Sequence, residues 1–127
     1  MKVCYLTPET VIRIHDRCIE EITPLEPKGI NTYDGLCSAL SHGGWIEKFT
    51  KNADIFDITA GISVKLAKAH AFQQGNKRTS YGVADIMLAM NGYRLETYAD
   101  EAVNIWSDIA TDIMGEEALA VWLRYNS

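Results

Sequence analysis

At 127 residues the chain fits one domain with room for a substantial core, and its 47% hydrophobic content excludes general disorder. A net charge of −5 argues against a broad nucleic-acid surface, which needs many cations to neutralise phosphates, but leaves room for one local cationic pocket. No apolar run is long enough to span a bilayer, no secretory pattern opens the chain, and Cys4, Cys18 and Cys37 lack the paired spacing of a disulfide framework or zinc site; the expectation is a soluble cytoplasmic protein, with Cys18 and Cys37 as small core residues.

Lys2 to Leu6 reads as a short apolar segment, extended or packed across a helix. Thr7-Pro8-Glu9 is a helix start: the hydroxyl caps exposed N–H groups, proline suits the first turn and glutamate complements the dipole. Val11, Ile14, Cys18 and Ile22 then recur at helical spacing, broadened by Ile19, up to Thr23-Pro24, while His15 and Asp16 read as structural or surface residues. Residues 24–33 form a loop through Pro27, Gly29 and Asn31. A short helix capped by Asp34 follows over 34–40, and His42-Gly43-Gly44-Trp45 reads as a mobile turn beside an aromatic. The long central helix opens at Ala53 or Asp54 and buries Ile55, Ile58, Ile62, Leu66 and Ala69, with Phe56 and Val64 widening the face. After a loop, Thr79 to Met90 is a second buried helix stopped by Asn91-Gly92. Ala102, Val103, Ile105, Trp106, Ile109 and Ile113 predict a further helix that Gly115 breaks, and Glu116 to Tyr125 is the last. The expected architecture is an all-α, single-domain bundle of about six helices spanning residues 1–127.

Between the two buried helices lies His70-Ala71-Phe72-Gln73-Gln74-Gly75-Asn76-Lys77-Arg78-Thr79-Ser80. A glycine lets the backbone turn and approach a ligand closely, and the first N–H groups of the following helix lack internal partners and can face an anion. Lys77 and Arg78, with Lys68 near by, would add full charges to that partial field. His70, with a reference pKa of about 6.5, could take a proton from a hydroxyl near neutral pH. Phe72 reads as the buried anchor of the loop. Taken singly, each residue has an ordinary reading: a capping histidine, a solvated turn, a cation at a helix end. It is their combination that describes a phosphate site with a base.

The stretch resembles the Fic/Doc signature, His-x-Phe-x-acid-Gly/Ala-Asn-Gly/Lys-Arg, with Lys77 matching the death-on-curing (Doc) branch. Asp34-Gly35-Leu36, continuing to Ser38-Ala39, is similar to the segment in or beside the flap that positions a target in Doc-like proteins. The resemblance implies a toxin of a toxin–antitoxin module that uses ATP to phosphorylate a hydroxyl of a protein, elongation factor Tu, and so blocks translation. His70 would activate the target hydroxyl, and Gly75, Asn76, Lys77 and Arg78 would hold the nucleotide phosphates. The acidic residue that binds Mg²⁺ in the family is replaced by Gln74, which implies weaker metal binding. A second arginine usual in Fic proteins falls on Tyr81, which weighs against AMP transfer. The resemblance also implies a partner antitoxin with a disordered segment, to which exposed positions among Trp45, Phe49 and Trp106 could offer a groove. An AMP or nucleotidyl transferase, and a catalytically degenerate nucleotide- or partner-binding module, are the alternatives. No direct nucleic-acid contact and no membrane contact are expected.

Overall fold

The computed structural model describes residues 2–127. Its elements are α1 (Pro8–Ile22), α2 (Tyr33–Phe49), α3 (Ile55–Ala69), α4 (Asn76–Met90), α5 (Ala99–Ala110) and α6 (Glu116–Tyr125). Among the described residues the only β pairing is an isolated antiparallel bridge between Ile30 and Phe72. The protein is thus all-α, and none of its described helices is long and apolar enough to cross a membrane.

Local chemistry explains most helix starts. The Thr7 hydroxyl accepts the Thr10 N–H at 3.2 Å, with Pro8 and Glu9 in the first turn of α1. At α3 the Asp54 carboxylate accepts the Asp57 N–H at 2.9 Å and the Asp57 carboxylate accepts the Asp54 N–H at 3.0 Å, a reciprocal box. Arg124 of α6 donates to Asp54 at 2.7 Å and ties the last helix to the same terminus. For α2 the cap is Thr32, whose hydroxyl accepts the Gly35 N–H at 2.9 Å, and the expected cap Asp34 lies in the first turn.

The largest departure from the sequence reading is the length of α2. Its helix continues unbroken through His42-Gly43-Gly44-Trp45, where a mobile turn was expected. Two glycines in series cost about 2 kcal/mol of intrinsic helix propensity, so packing must offset them. At Gly43 a methyl group would lie 2.5 Å from Ile62 Cδ1 and 3.2 Å from the Tyr5 ring. The reciprocal contact is at Gly61 of α3, against which the Ile46 side chain closes. Each helix inserts an isoleucine where the other has no side chain, and the pair approaches closely as a result.

The core gathers on α3, where Ile58, Ala60, Ile62 and Leu66 are sealed from solvent by α2, α4 and α6. Ser80 of α4 donates to the Ser63 carbonyl at 2.6 Å and accepts from Trp106 Nε1 at 2.9 Å, joining α3, α4 and α5 through one hydroxyl. Helix α5 stops at Ala110, short of Ile113, which is 75% exposed beyond a left-handed turn at Asp112. The N-terminal segment is latched by Asn91, which accepts the Cys4 N–H at 2.8 Å and donates to the Cys4 carbonyl at 2.9 Å. All three cysteines are free, with Cys4 exposed and Cys18 and Cys37 half-buried rather than in the core.

Candidate functional site

Helix α3 ends at His70, which adopts a left-handed conformation (φ 49°, ψ 41°) that turns the chain away from the helix axis. Its side chain is exposed, and the imidazole has no hydrogen-bond partner among the described residues. Ala71 and Phe72 then plunge into the core, both almost fully buried, and anchor the loop. Burial of the Phe72 ring is worth about 1.5–3 kcal/mol.

The loop backbone is held from three sides. From the α1–α2 connection, Asn31 N–H donates to the Ala71 carbonyl at 2.7 Å and the Gly29 carbonyl accepts from Gln73 N–H at 2.9 Å. The Asn31 amide donates to the carbonyls of Phe72 at 3.2 Å and His70 at 3.3 Å. Within the loop, Asn76 closes the turn: its Oδ1 accepts the Phe72 N–H at 3.1 Å and its Nδ2 donates to the Phe72 carbonyl at 2.9 Å. From α1, His15 Nε2 meets the Gln74 carbonyl at 2.7 Å. A carbonyl only accepts, so Nε2 is the donor.

Helix α4 begins at Asn76, three residues before the expected Thr79, because Gly75 at φ 78° turns the chain directly into it. No described side chain caps this terminus. The Thr79 N–H reaches the Gly75 carbonyl at 2.9 Å, whereas the N–H groups of Gly75, Asn76, Lys77 and Arg78 have no protein acceptor among the described residues. Lys77 is exposed and forms no ion pair among the described residues, and Arg78 donates to Glu26 Oε2 at 3.1 Å. Lys68 is drawn away from the loop by Asp112, which removes it from the expected cationic cleft.

Gly75, Lys77 and Arg78 therefore meet at one helix end, His70 stands at the other end of the same loop, and Asn76 shapes the turn with both ends of its amide. Gln74 is exposed, with its carbonyl turned inward. Among the described residues no group of three or more His, Cys, Asp or Glu is arranged to hold a metal ion. The carboxylate that touches the loop, Glu26, already accepts from Arg78 and from the Thr23 hydroxyl at 2.9 Å. Mg²⁺ prefers carboxylates and phosphates, so the neutral amide of Gln74 does not fit the place of a protein carboxylate ligand.

His42 is separate from the loop. Its Nε2 lies 2.7 Å from Glu116 Oε1 and its ring stacks on Trp45, in a hollow shared with Ser38, Ser41 and Lys65. It packs at Gly61, nine residues before His70, which is roughly 13 Å along the helix axis.

The sequence model of the Fic/DOC family matches residues 5–88. The chain belongs to the Fic/DOC family. The matched span runs from Tyr5, just after the N-terminal latch, through α1, α2, α3 and the loop and ends two residues before the close of α4. No curated protein matches the sequence. Membership of the Fic/DOC family makes this domain a transferase of the Fic type, and the loop just described lies within the matched span. Sequence reasoning missed three residues that bond to this loop and to the first turn of α4: His15, Glu26 and Asn31. For His15 a signal existed, since it lies four residues from both Val11 and Ile19 on the buried line of α1.

Proposed function

We propose that the protein transfers the terminal phosphate of ATP to a hydroxyl of a protein target. The observation that carries this reading is the open end of α4: four N–H donors without acceptors among the described residues, beside Lys77, which forms no ion pair among them. Such a terminus is a ready anion site, and added cations offset charge building on the transferred group. In the reaction the target oxygen attacks the terminal phosphorus, the bond from that phosphorus to the bridging oxygen breaks, ADP leaves, and the hydroxyl proton passes to the His70 ring. Asn76 and Phe72 hold the loop rigid while this occurs. Gln74 could offer a metal only one neutral amide oxygen.

The full role we assign is that of a toxin acting in the cytoplasm on elongation factor Tu and restrained by an antitoxin whose disordered segment folds on binding. Trp45 and Phe49, 58% and 61% exposed, are candidate contacts for that segment, while Trp106 is buried and drops out. Tyr81 bears against the AMP-transfer alternative: its ring packs edge-on against Trp106 at 5.1 Å, so an aromatic contact occupies the place of a second cation.

The test is intact-mass analysis of elongation factor Tu after incubation with the protein, ATP and Mg²⁺, alongside His70→Ala. A phosphate-sized gain, reduced about 10²- to 10⁴-fold in rate in the variant, is expected. A nucleotide-sized gain would select AMP transfer. Retained ATP binding with no gain on any hydroxyl-bearing target would select a binding module.

A further inference from the structure

Among the described residues His15 is the one fully buried histidine, and it touches the loop in two ways. Its ring lies face to face with Phe72, centroids 3.8 Å apart and 8° from parallel. Its edge donates through Nε2 to the Gln74 carbonyl at 2.7 Å, while Asp16 Oδ1 lies 3.1 Å from Nδ1. A buried imidazole left without partners would be costly, so the site is built around it.

The consequence lies in the next peptide unit. No described peptide bond is cis, and in a planar trans unit the C=O and N–H point in opposite directions. With the Gln74 carbonyl drawn inward to His15, the Gly75 N–H of the same plane points outward. It joins the unpaired N–H groups of Asn76, Lys77 and Arg78 on the open side. Were this plane to flip, a carbonyl oxygen would face the phosphates and repel them. Glycine at 75 makes the flip sterically easy, because it lacks the Cβ that restrains other residues. The loop backbone at 71–73 is held by Asn31, Gly29 and Asn76, whereas the carbonyl of Gln74 is held by His15 alone among the described residues.

We infer that His15 is a positioning residue for the phosphate site, fixing the orientation of the Gln74–Gly75 peptide so that the Gly75 N–H faces the bound phosphates. The inference rests on the phosphate-holding reading of the loop. It assigns α1 an indirect part in binding the nucleotide, acting through the loop backbone.

Two substitutions divide the roles of the ring. His15→Phe keeps an aromatic face against Phe72 and removes the donor, while His15→Gln keeps an N–H of similar reach and removes the ring. Without the donor the Gln74 carbonyl loses its one described partner and the peptide is free to turn, and tenfold in affinity corresponds to about 1.4 kcal/mol. Titration with ATP and with inorganic tripolyphosphate is therefore expected to show about tenfold weaker binding in folded His15→Phe and recovery to within about threefold in His15→Gln. The ¹H–¹⁵N signal of Gly75 should shift on adding tripolyphosphate to the native protein and to His15→Gln, and stay still in His15→Phe. A purely structural histidine would lower the melting temperature of both variants without separating them in affinity. Native-like binding and a native-like Gly75 shift in His15→Phe would overturn the inference and leave the phosphate site intact. Absence of tripolyphosphate and ATP binding in the native protein would instead overturn the phosphate site itself, and the inference with it.

Discussion

Helices α3 and α4 begin in opposite ways. At α3 the donors are satisfied by the chain's own carboxylates, Asp54 and Asp57, with Arg124 closing the outside. At α4 the cap is a left-handed glycine with no side chain to offer, and the first turn carries two cations rather than an acid. A cation at a helix N-terminus opposes the macrodipole and costs a few tenths to about 1 kcal/mol. One terminus is built for stability, and the other leaves its donors and its positive field for a ligand. Both ends lie on adjoining elements of the same core, and the difference starts from the residues at each end.

The contrast predicts opposite responses to acid at the two ends. Lys77→Glu should weaken tripolyphosphate binding by at least about tenfold, through loss of a charged contact worth about 1.5–3 kcal/mol, while raising stability slightly by complementing the dipole. Titration calorimetry and urea unfolding on the same sample would read both, and a fall in stability with unchanged binding would break the comparison. Asp54→Ala should do the reverse, costing about 1 kcal/mol of stability with phosphate affinity unchanged.

The pH dependence of that loss has a defined sign. Burial works against the charge of Asp54, but the Asp57 N–H, Arg124 and the Asp57 side chain together hold its carboxyl below the ordinary range. A folded pKa below the unfolded value of about 3.9 stabilises above that pH, and the contribution disappears as pH falls through the folded value. The stability gap between native protein and Asp54→Ala should accordingly be full at neutral pH and close in acid. A gap that grew below pH of about 4 would contradict this. The smallest effect is expected at Glu26→Gln. Freeing Arg78 from a half-exposed ion pair worth about 0–1 kcal/mol should tighten tripolyphosphate binding no more than about fivefold.

The helix starts at Thr7-Pro8 and Asp54 and the last helix over Glu116–Tyr125 were legible because capping and dipole complementarity act over a single turn. The α2 turn that did not form was misread for the same reason: Gly43-Gly44 is a local signal for a break, and the contact that overrides it comes from Ile62, nineteen residues beyond Gly43. Ile22 and Ile113 were placed on buried stripes and are 60% and 75% exposed, because periodicity marks a face without showing where the neighbouring helix stops. His15 was read as structural or surface, and it is buried with a partner 59 residues away.

Sequence alone determined that this chain forms a helical domain with a histidine, a glycine and two cations collected on one loop. Those features depend on spacing and local chemistry, which a linear order carries in full. The tertiary structure decided which donors of that loop remain open. That depends on hydrogen bonds from α1 and from the segment at 29–31, brought to the loop by packing across the core. A backbone N–H is free only when every other element has left it so, and no stretch of sequence contains that information by itself.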